Sequence, residues 1–199
     1  MKIRFELLMS ITAMITAVAA VVVAIVQTQV MHDEAMMERE HARLSVLPSI
    51  MVFTGSHVGD EEGSFYIGAT NQGIGPASIE GLTVSVDGKA QATWTQAVAL
   101  ATDGAVRLDG PERNVDSIAV TDLDPGALMP ADVRVQMIKM DTTPEIAALM
   151  RGQLDSRVTV SMCYCSLYRE CWTVDNINTR PKPANSCKAL EAAFFRNEE

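Results

Sequence analysis

The hydrophobic residues of this chain follow two different patterns, one near the N-terminus and one in the remainder. Residues 7–26 form an unbroken run without a charged side chain, in which only one serine and two threonines are polar. A helix of about 20 residues spans the ~30 Å hydrocarbon core of a bilayer. The pattern predicts a transmembrane helix over residues 7–29, preceded by a cytoplasmic tip at residues 1–6.

The charges on either side of the apolar run predict its orientation. Lys2 and Arg4 precede it, whereas Asp33 and Glu34 follow it. Because positively charged flanks stay on the cytoplasmic side, we expect a cytoplasmic N-terminus and an exported C-terminal domain. A cleavable signal peptide is the alternative, since Ala17-Val18-Ala19 has the small-x-small form of a cleavage site. The apolar run continues past that site, beyond the ~7–15 residues of a typical signal sequence, which favours an uncleaved anchor.

Residues 30–44 predict a helical stalk, because they are rich in Glu, Ala and Met and contain neither Gly nor Pro. Apolar residues recur every seven positions from Val23 to Leu44, but charged residues occupy most of the alternate positions that a coiled coil requires. Alanines spaced by three and four residues within the membrane run permit close helix approach. We therefore expect no more than weak self-association through the transmembrane helix and the stalk.

From residue 45 the pattern changes to short β-like runs separated by turn signals. Several runs alternate apolar and polar residues, which is typical of half-buried strands, and Asp87-Gly88 is a tight-hairpin dipeptide that leads into Ala90–Trp94 as a partner strand. Residues 45–178 therefore predict an antiparallel β-sandwich of immunoglobulin-like type. The predicted strands are Val46–Phe53, Ser64–Asn71, Ile79–Asp87, Gln91–Leu100, Ala105–Asp109, Ser117–Asp122, Val133–Met140, Val158–Cys165 and Cys171–Asp175.

Two helices are predicted alongside these strands. The first runs from Thr143 to Leu154, with Thr143 as N-cap and Pro144 in the first helical position. The second runs from Ser186 to Arg196, within a C-terminal tail at residues 179–199. The fold class is thus mainly β, with an N-terminal transmembrane helix and one or two short helices.

Composition narrows the classes of partner. The chain of 199 residues has a net charge of −9, and residues beyond position 30 carry −10. This acidic balance argues against nucleic-acid binding and against docking on anionic lipid headgroups, both of which need basic surfaces. Apolar residues make up 48% of the chain and charged residues 21%, which excludes a mainly disordered protein.

The most distinctive local string of the β-region is N-x-G-x-G-P-A, with Asn71, Gly73, Gly75 and Pro76 at its defined positions. We interpret it as a structural turn, in which the glycines permit positive φ and the proline defines the exit. A dinucleotide site would need a third glycine and a following helix, whereas the next residues are typical of a strand.

This string, together with C-Y-C-S and E-C-W near residues 163–172, resembles sequences of uncharacterised bacterial single-pass membrane proteins with a small exported β-domain. The resemblance covers two short motifs and the arrangement of anchor and domain. It implies a location in the bacterial inner membrane, with the N-terminus cytoplasmic and the C-terminal domain periplasmic, and it implies no established activity.

Four cysteines, Cys163, Cys165, Cys171 and Cys187, occur in this half of the chain. An even number of clustered cysteines in an exported domain predicts disulfides. Cys163 and Cys165 lie on one face of a strand, and a five-residue hairpin loop sets Cys165 opposite Cys171. Cys187 then reaches Cys163, so the predicted pairs are Cys165–Cys171 and Cys163–Cys187.

A metal site is the alternative use of these cysteines. Their spacing fits zinc poorly, whereas copper(I) prefers thiolate and thioether ligands, and the chain has 12 methionines. The stalk methionines and histidines show no repeated ligand spacing, which favours ordinary helix-forming and packing roles. We therefore expect no metal ion and no cofactor.

No catalytic constellation is evident. His57 is the only histidine of the β-region, and the acidic residues at 60–62 and 122–124 lie in polar turns. We therefore expect a non-enzymatic, membrane-anchored periplasmic interaction module that binds another envelope protein. The alternatives are an accessory single-pass subunit of a larger inner-membrane complex and an envelope copper-binding protein.

Overall fold

The structure, a computed structural model, describes residues 2–191 and residue 195. It separates into two compact units, Met1–Ser45 and Val46–Glu199. We refer to the second unit as the β-domain.

The first unit is a single helix, α1 (Lys2–Leu44), of 43 residues. Its span Leu7–Leu44 is long and apolar enough to cross a membrane by length and composition, criteria that an anchor and a signal sequence both meet. The hydroxyls of Thr12, Thr16 and Thr28 donate to carbonyl oxygens of the preceding turn at 2.8–3.0 Å. These polar side chains are therefore satisfied within the helix, as a bilayer requires.

The β-domain contains two antiparallel sheets. One has four strands in the order β1-β2-β7-β5. The other has six strands in the order β10-β9-β8-β3-β4, with β6 also paired to β3. The strands are β1 (Ile50–Val58), β2 (Gly63–Asn71), β3 (Ala77–Val86), β4 (Lys89–Gln91), β5 (Ser117–Val120), β6 (Leu128–Met129), β7 (Arg134–Thr142), β8 (Val158–Cys165), β9 (Cys171–Asp175) and β10 (Lys182–Ala184).

The core lies between the two sheets. Alternating residues such as Phe65 and Ile67 of β2 are buried in the same cluster as Val84 of β3 and Val160 and Met162 of β8. This alternation is the period-two signal present in the sequence. Mainly antiparallel sheets and few helices are thus observed, whereas the immunoglobulin-like type is not confirmed.

Helix α2 (Trp94–Ala101) replaces most of the predicted strand Gln91–Leu100. Of the predicted strand, only Gln91 lies in an observed strand, because β4 ends at that residue. The Thr93 hydroxyl then accepts a hydrogen bond from the Gln96 N–H at 3.3 Å and caps the helix. Since Trp94, Ala97, Val98 and Ala101 are all buried at spacings of one helical turn, tertiary packing selects a helix here.

The predicted strand Ala105–Asp109 is also wrong. This segment is a loop, in which Asn114 accepts from the Arg107 N–H at 2.9 Å and donates to the Ala105 carbonyl at 2.7 Å. A side-chain amide therefore occupies backbone groups that a neighbouring strand would otherwise bind.

Helix α3 (Pro144–Arg157) begins where the sequence predicts and extends beyond Leu154. Arg157 at its last turn forms ion pairs with Asp87 at 2.7 Å and Asp103 at 2.9 Å. Asp87 and Gly88, at the β3–β4 turn, both have positive φ, as the predicted tight hairpin requires.

The described residues of the C-terminal tail pack on the sheets of the β-domain. Helix α4 (Lys188–Glu191) covers part of the predicted helix Ser186–Arg196, and residues 192–194 and 196–199 lie outside the described residues. Phe195 is buried and is not in a helix. Its N–H donates to the Leu82 carbonyl of β3 at 3.1 Å, and its ring packs edge-on against Trp94 with the centroids 4.9 Å apart.

Candidate functional site

The four cysteines form two disulfides on the face of β8 that points away from the main core. Cys163 is bonded to Cys187, and Cys165 is bonded to Cys171, which are the pairs that the strand geometry predicts. Met162 and Tyr164, the alternate residues of the same strand, belong to the main core. The alternation of side chains along β8 therefore separates the disulfides from the core.

The Cys165–Cys171 disulfide closes the hairpin between β8 and β9. The two cysteines are direct partners in the strand register, with Cα atoms 4.0 Å apart. Within the hairpin loop, the Ser166 N–H donates to the Glu170 carbonyl at 2.7 Å. The Ser166 hydroxyl accepts from the N–H groups of Tyr168 and Glu170 at 3.2 and 3.3 Å. The loop is therefore held by internal hydrogen bonds as well as by the disulfide.

The Cys163–Cys187 disulfide attaches the C-terminal tail to the sheet. Cys163 is fully buried, and Cys187 is 6% exposed. The half-buried side chains of Ala184 and Leu190 pack around the sulfurs and form a second, small apolar cluster. The tail thus covers the part of the sheet on which the disulfides lie.

A cavity of about 530 Å³ opens beside both disulfides. Its walls are the outward face of β3, the β8–β9 hairpin loop, residue Leu128 of β6 and tail residues 185–188. We call it the disulfide groove. Leu128 is 63% exposed and Leu167, in the hairpin loop, is 60% exposed. Two large aliphatic side chains therefore face solvent at this groove.

The disulfide groove is locally cationic. Arg169 and Lys188 line it, with Glu80 as the acidic residue of the lining. The Glu80 carboxylate accepts a hydrogen bond from the Ser78 hydroxyl at 2.7 Å, within its own strand. This local excess of positive charge contrasts with the net charge of −9 of the whole chain.

Asn71 of the N-x-G-x-G-P-A string is a fully buried hydrogen-bonding centre. Its Oδ1 accepts from the N–H groups of Ser49 and Gly73 at 3.1 and 3.0 Å. Its Nδ2 lies 2.8, 3.1 and 3.2 Å from the carbonyl oxygens of three further residues, which are Gly75, Met129 and Pro130. The Asn71 side chain therefore links the segment at Ser49, the turn at residues 73–75 and the segment at residues 129–130.

The two glycines of this string have a different role from the one that the sequence predicts. Neither Gly73 nor Gly75 has positive φ. A Cβ atom on Gly73 would overlap the backbone at Leu47 and Ser49, and a Cβ atom on Gly75 would overlap the carbonyl of Val46. Glycine is required because the 46–49 segment crosses directly over the turn. Pro76, half-buried, leads directly into β3.

His57 lies in a separate polar cavity of about 520 Å³ on the four-stranded sheet. The strand register places His57 opposite Ser64 and Ser64 opposite Asp141. Asp141 binds Lys139 at 2.8 Å and the Ser117 hydroxyl at 2.7 Å, and these bonds lower the pKa of its carboxyl. Among the described residues, no side-chain hydrogen bond joins His57 to Ser64. The cavity brings together residues of three strands, β1, β2 and β7, and of two loops, so its composition was not evident from the sequence.

The remaining sequence candidates lie apart from the disulfide groove. Glu62 of the 60–62 acidic run borders the His57 cavity, and Asp124 belongs to a turn in which its carbonyl accepts from the Ala127 N–H at 2.9 Å. The sulfurs of Cys165, Cys171 and Cys187 lie within 4.8 Å of one another. A thiolate ligand set would require reduction of both disulfides, because the described chain has no free cysteine.

Comparison of the chain with protein-family models, with curated proteins and with solved structures gives no match.

Proposed function

We propose that this protein is a non-enzymatic, membrane-anchored periplasmic interaction module, and that its disulfide groove binds an apolar segment of another envelope protein. Helix α1 supports the anchor, since 43 residues at ~1.5 Å each exceed the ~30 Å of a bilayer core. The two disulfides support export, because such bonds persist in oxidising compartments. The flanking charges Lys2 and Arg4 support a cytoplasmic N-terminus.

The observation that carries the proposal is the pair of exposed leucines at the groove. Leu128 and Leu167 come from different elements, β6 and the hairpin loop, and both line one cavity. Exposed aliphatic side chains that converge on a concave surface are typical of binding sites. An apolar segment that covers them would gain about 25 cal/mol for each Å² removed from water.

Both walls of the groove are held in place before binding. The Cys165–Cys171 bond holds the hairpin that carries Leu167, and the Cys163–Cys187 bond holds tail residues 185–188. A site whose walls are already ordered loses less conformational entropy on binding. The disulfides therefore favour affinity as well as stability.

The charges at the groove define the chemistry of the partner. Arg169 and Lys188 offer guanidinium and ammonium donors at its rim. We infer that the bound segment carries a carboxylate next to its apolar residues, since a complementary charge increases both specificity and association rate.

The experiment is site-specific photo-crosslinking of the full chain in membranes. A photoreactive residue replaces Leu167, and the matched control replaces Ile177, which is 65% exposed and does not line the groove. We expect a defined crosslinked adduct from position 167 only, and its loss when Arg169→Glu and Lys188→Glu are added. Equal adducts from both positions, or an adduct at 167 that is insensitive to the charge reversals, would contradict the proposal.

Two further measurements distinguish the remaining functional proposals. A crosslinked partner that also co-purifies stoichiometrically in mild detergent would support an accessory subunit of an inner-membrane complex. Retention of copper(I) by the reduced protein, but not by the oxidised protein, would support the metal-binding alternative. We also propose that the two sheets form an immunoglobulin-like sandwich, a classification that their antiparallel pairing supports.

A further inference from the structure

The two disulfides are in contact with each other. The Sγ atom of Cys165 lies 3.9 Å from the Sγ atom of Cys187, although each is bonded to a different cysteine. The sulfur of Cys171 lies within 4.8 Å of both. Thiol–disulfide exchange requires a thiolate to approach a sulfur of another disulfide, and this geometry places them side by side.

The four cysteine sulfurs differ in how accessible they are to a thiol that enters the disulfide groove. Cys171 is half-buried, and the three cysteines 165, 171 and 187 line the disulfide groove. Cys163 is fully buried and does not line it. A thiol that enters the groove therefore reaches Cys171 most readily, and Cys163 is the least accessible of the four.

We propose that these bonds form a disulfide relay, in which a dithiol reductant that attacks Cys171 converts the two native disulfides into a single Cys165–Cys187 bond. The relay is independent of the partner proposed for the groove, because it requires only the arrangement of the sulfurs. The reductant is a dithiol by chemical class, whether a small molecule or an oxidoreductase protein.

One thiolate of the reductant attacks Cys171 Sγ, forms a mixed disulfide and releases the Cys165 thiolate. That thiolate attacks Cys187 Sγ, forms the Cys165–Cys187 bond and releases the Cys163 thiolate. The second thiol of the reductant then attacks its own mixed disulfide and releases Cys171. The reductant loses two electrons and becomes a disulfide, and its two protons are transferred to Cys163 and Cys171.

The fold accommodates both pairings. Cys163 and Cys165 project from the same face of β8, about 6.7 Å apart along the strand. Cys187 is bonded to the first and in contact with the second. The tail therefore stays attached to β8 in both states, and only its attachment point changes.

The first test uses the native full chain in detergent with one equivalent of dithiothreitol. After an acid quench, free thiols are alkylated and located by fragmentation mass spectrometry. The relay gives label at Cys163 and Cys171. Label at Cys165 and Cys171 would mean simple reduction of the hairpin bond, and label at Cys163 and Cys187 would mean direct reduction of the tail bond. Either of these two results would overturn the proposal.

Two single variants each leave one free thiol that can form the Cys165–Cys187 bond. In Cys171→Ser the Cys165 thiol is free to attack Cys187, so the label moves to Cys163. In Cys163→Ser the Cys187 thiol is free to attack Cys165, so the label moves to Cys171. Label confined to Cys165 in the first variant and to Cys187 in the second would contradict the relay. Native-like tryptophan fluorescence confirms that each variant is folded.

A kinetic control tests whether the tail bond is reduced through its neighbour. The double variant Cys165→Ser/Cys171→Ser retains the Cys163–Cys187 bond and lacks the adjacent disulfide. We expect dithiothreitol to open that bond on the order of tenfold more slowly than in the native chain, because an intramolecular thiolate acts at high effective concentration. Equal rates would show that the neighbouring sulfurs take no part.

Discussion

Replacement of Asn71 by alanine is expected to destabilise the β-domain more than any exposed substitution nearby. The side chain is fully buried and takes part in five hydrogen bonds to backbone groups. Alanine removes both ends of the amide at once. It leaves carbonyl oxygens of Gly75, Met129 and Pro130 facing a small cavity without their common donor.

The magnitude follows from these contacts. A hydrogen bond contributes about 1 kcal/mol net, and a buried group left without a partner costs about 1–3 kcal/mol. The N–H groups of Ser49 and Gly73 are only partly buried, so water replaces some of their bonds. We therefore expect a loss of about 3–5 kcal/mol in the free energy of unfolding, a large part of the ~5–15 kcal/mol typical of a domain.

Urea unfolding of the full chain in mild detergent measures this loss. Both tryptophans, Trp94 and Trp172, lie in the β-domain, so their fluorescence reports its unfolding without a contribution from α1. With an m-value of about 2 kcal/mol/M, the expected shift of the midpoint is about 1.5–2.5 M. Gln72→Ala is the matched control, because Gln72 is exposed, and its effect should stay within about 0.5 kcal/mol.

A second variant tests the chemical reason. Asn71→Asp has nearly the same shape but places a carboxylate against the carbonyl oxygens that Nδ2 contacts. It should be less stable than Asn71→Ala at neutral pH. Because the folded state favours the protonated acid, the stability of Asn71→Asp relative to the native chain should increase as the pH falls. A loss below about 1 kcal/mol for Asn71→Ala, or no pH dependence for Asn71→Asp, would refute the assigned role of the amide.

Two further predictions concern the backbone and the charges of the β-domain. Gly75→Ala should cost more than about 3 kcal/mol in the same urea assay, because its Cβ would overlap the Val46 carbonyl. Gly152→Ala, in helix α3 with no atom near the added Cβ, should instead stabilise by about 0.5–1 kcal/mol; equal effects would contradict the close approach. The hydrogen bond from Arg157 lowers the pKa of Asp87 in the folded state. The interaction therefore stabilises the fold fully above the unfolded pKa of about 3.9, and this stabilisation is lost as the pH falls through the lower folded pKa. Asp87→Asn should therefore shift the urea midpoint downward at pH 7, by an amount that diminishes in acid; a pH-independent difference would contradict this assignment.

The groove and the relay together assign two uses to one pair of disulfides. In the oxidised state the bonds hold the hairpin and the tail that line the groove. In the proposed reduced state the Cys165–Cys171 bond is open, so the hairpin carrying Leu167 is held only by its hydrogen bonds. Binding of an apolar segment is then expected to weaken, since one wall of the site is no longer preorganised.

Local patterns in the sequence were sufficient for several elements. The apolar run at residues 7–26 is longer than the uninterrupted apolar stretches found in helices of soluble proteins, and it lies within α1. Alternation identified the strands that contribute Val84 and Val160 to the core. The disulfide pairs follow from two local facts, the two-residue period of β8 and the short loop between Cys165 and Cys171. These inferences depend on residues close together in the chain, except that Cys187, 24 residues from Cys163, is assigned as its remaining partner.

Local patterns misassigned the segment after β4. Residues 91–100 are apolar enough for a strand, but the buried face of α2 packs among side chains of β3 and α3. The intrinsic preference of residues for helix or strand is weak compared with such packing. The Thr93 cap alone was not enough to distinguish a helix from a strand in this segment. The same holds for Gly73 and Gly75, where the constraint comes from segment 46–49 and not from their own φ angles.

Period, length and loop size are properties of neighbouring residues, so local sequence patterns were enough to predict the apolar helix, most strands and the pairing of the cysteines. The strand order, the hydrogen-bonding centre at Asn71, the disulfide groove and the contact between the two disulfides arise only when the chain is folded. These features join residues far apart in the chain, such as Ile79 with Tyr164 in the β3–β8 pair. Long-range register is decided by the packing of whole faces, and no local pattern contains that information.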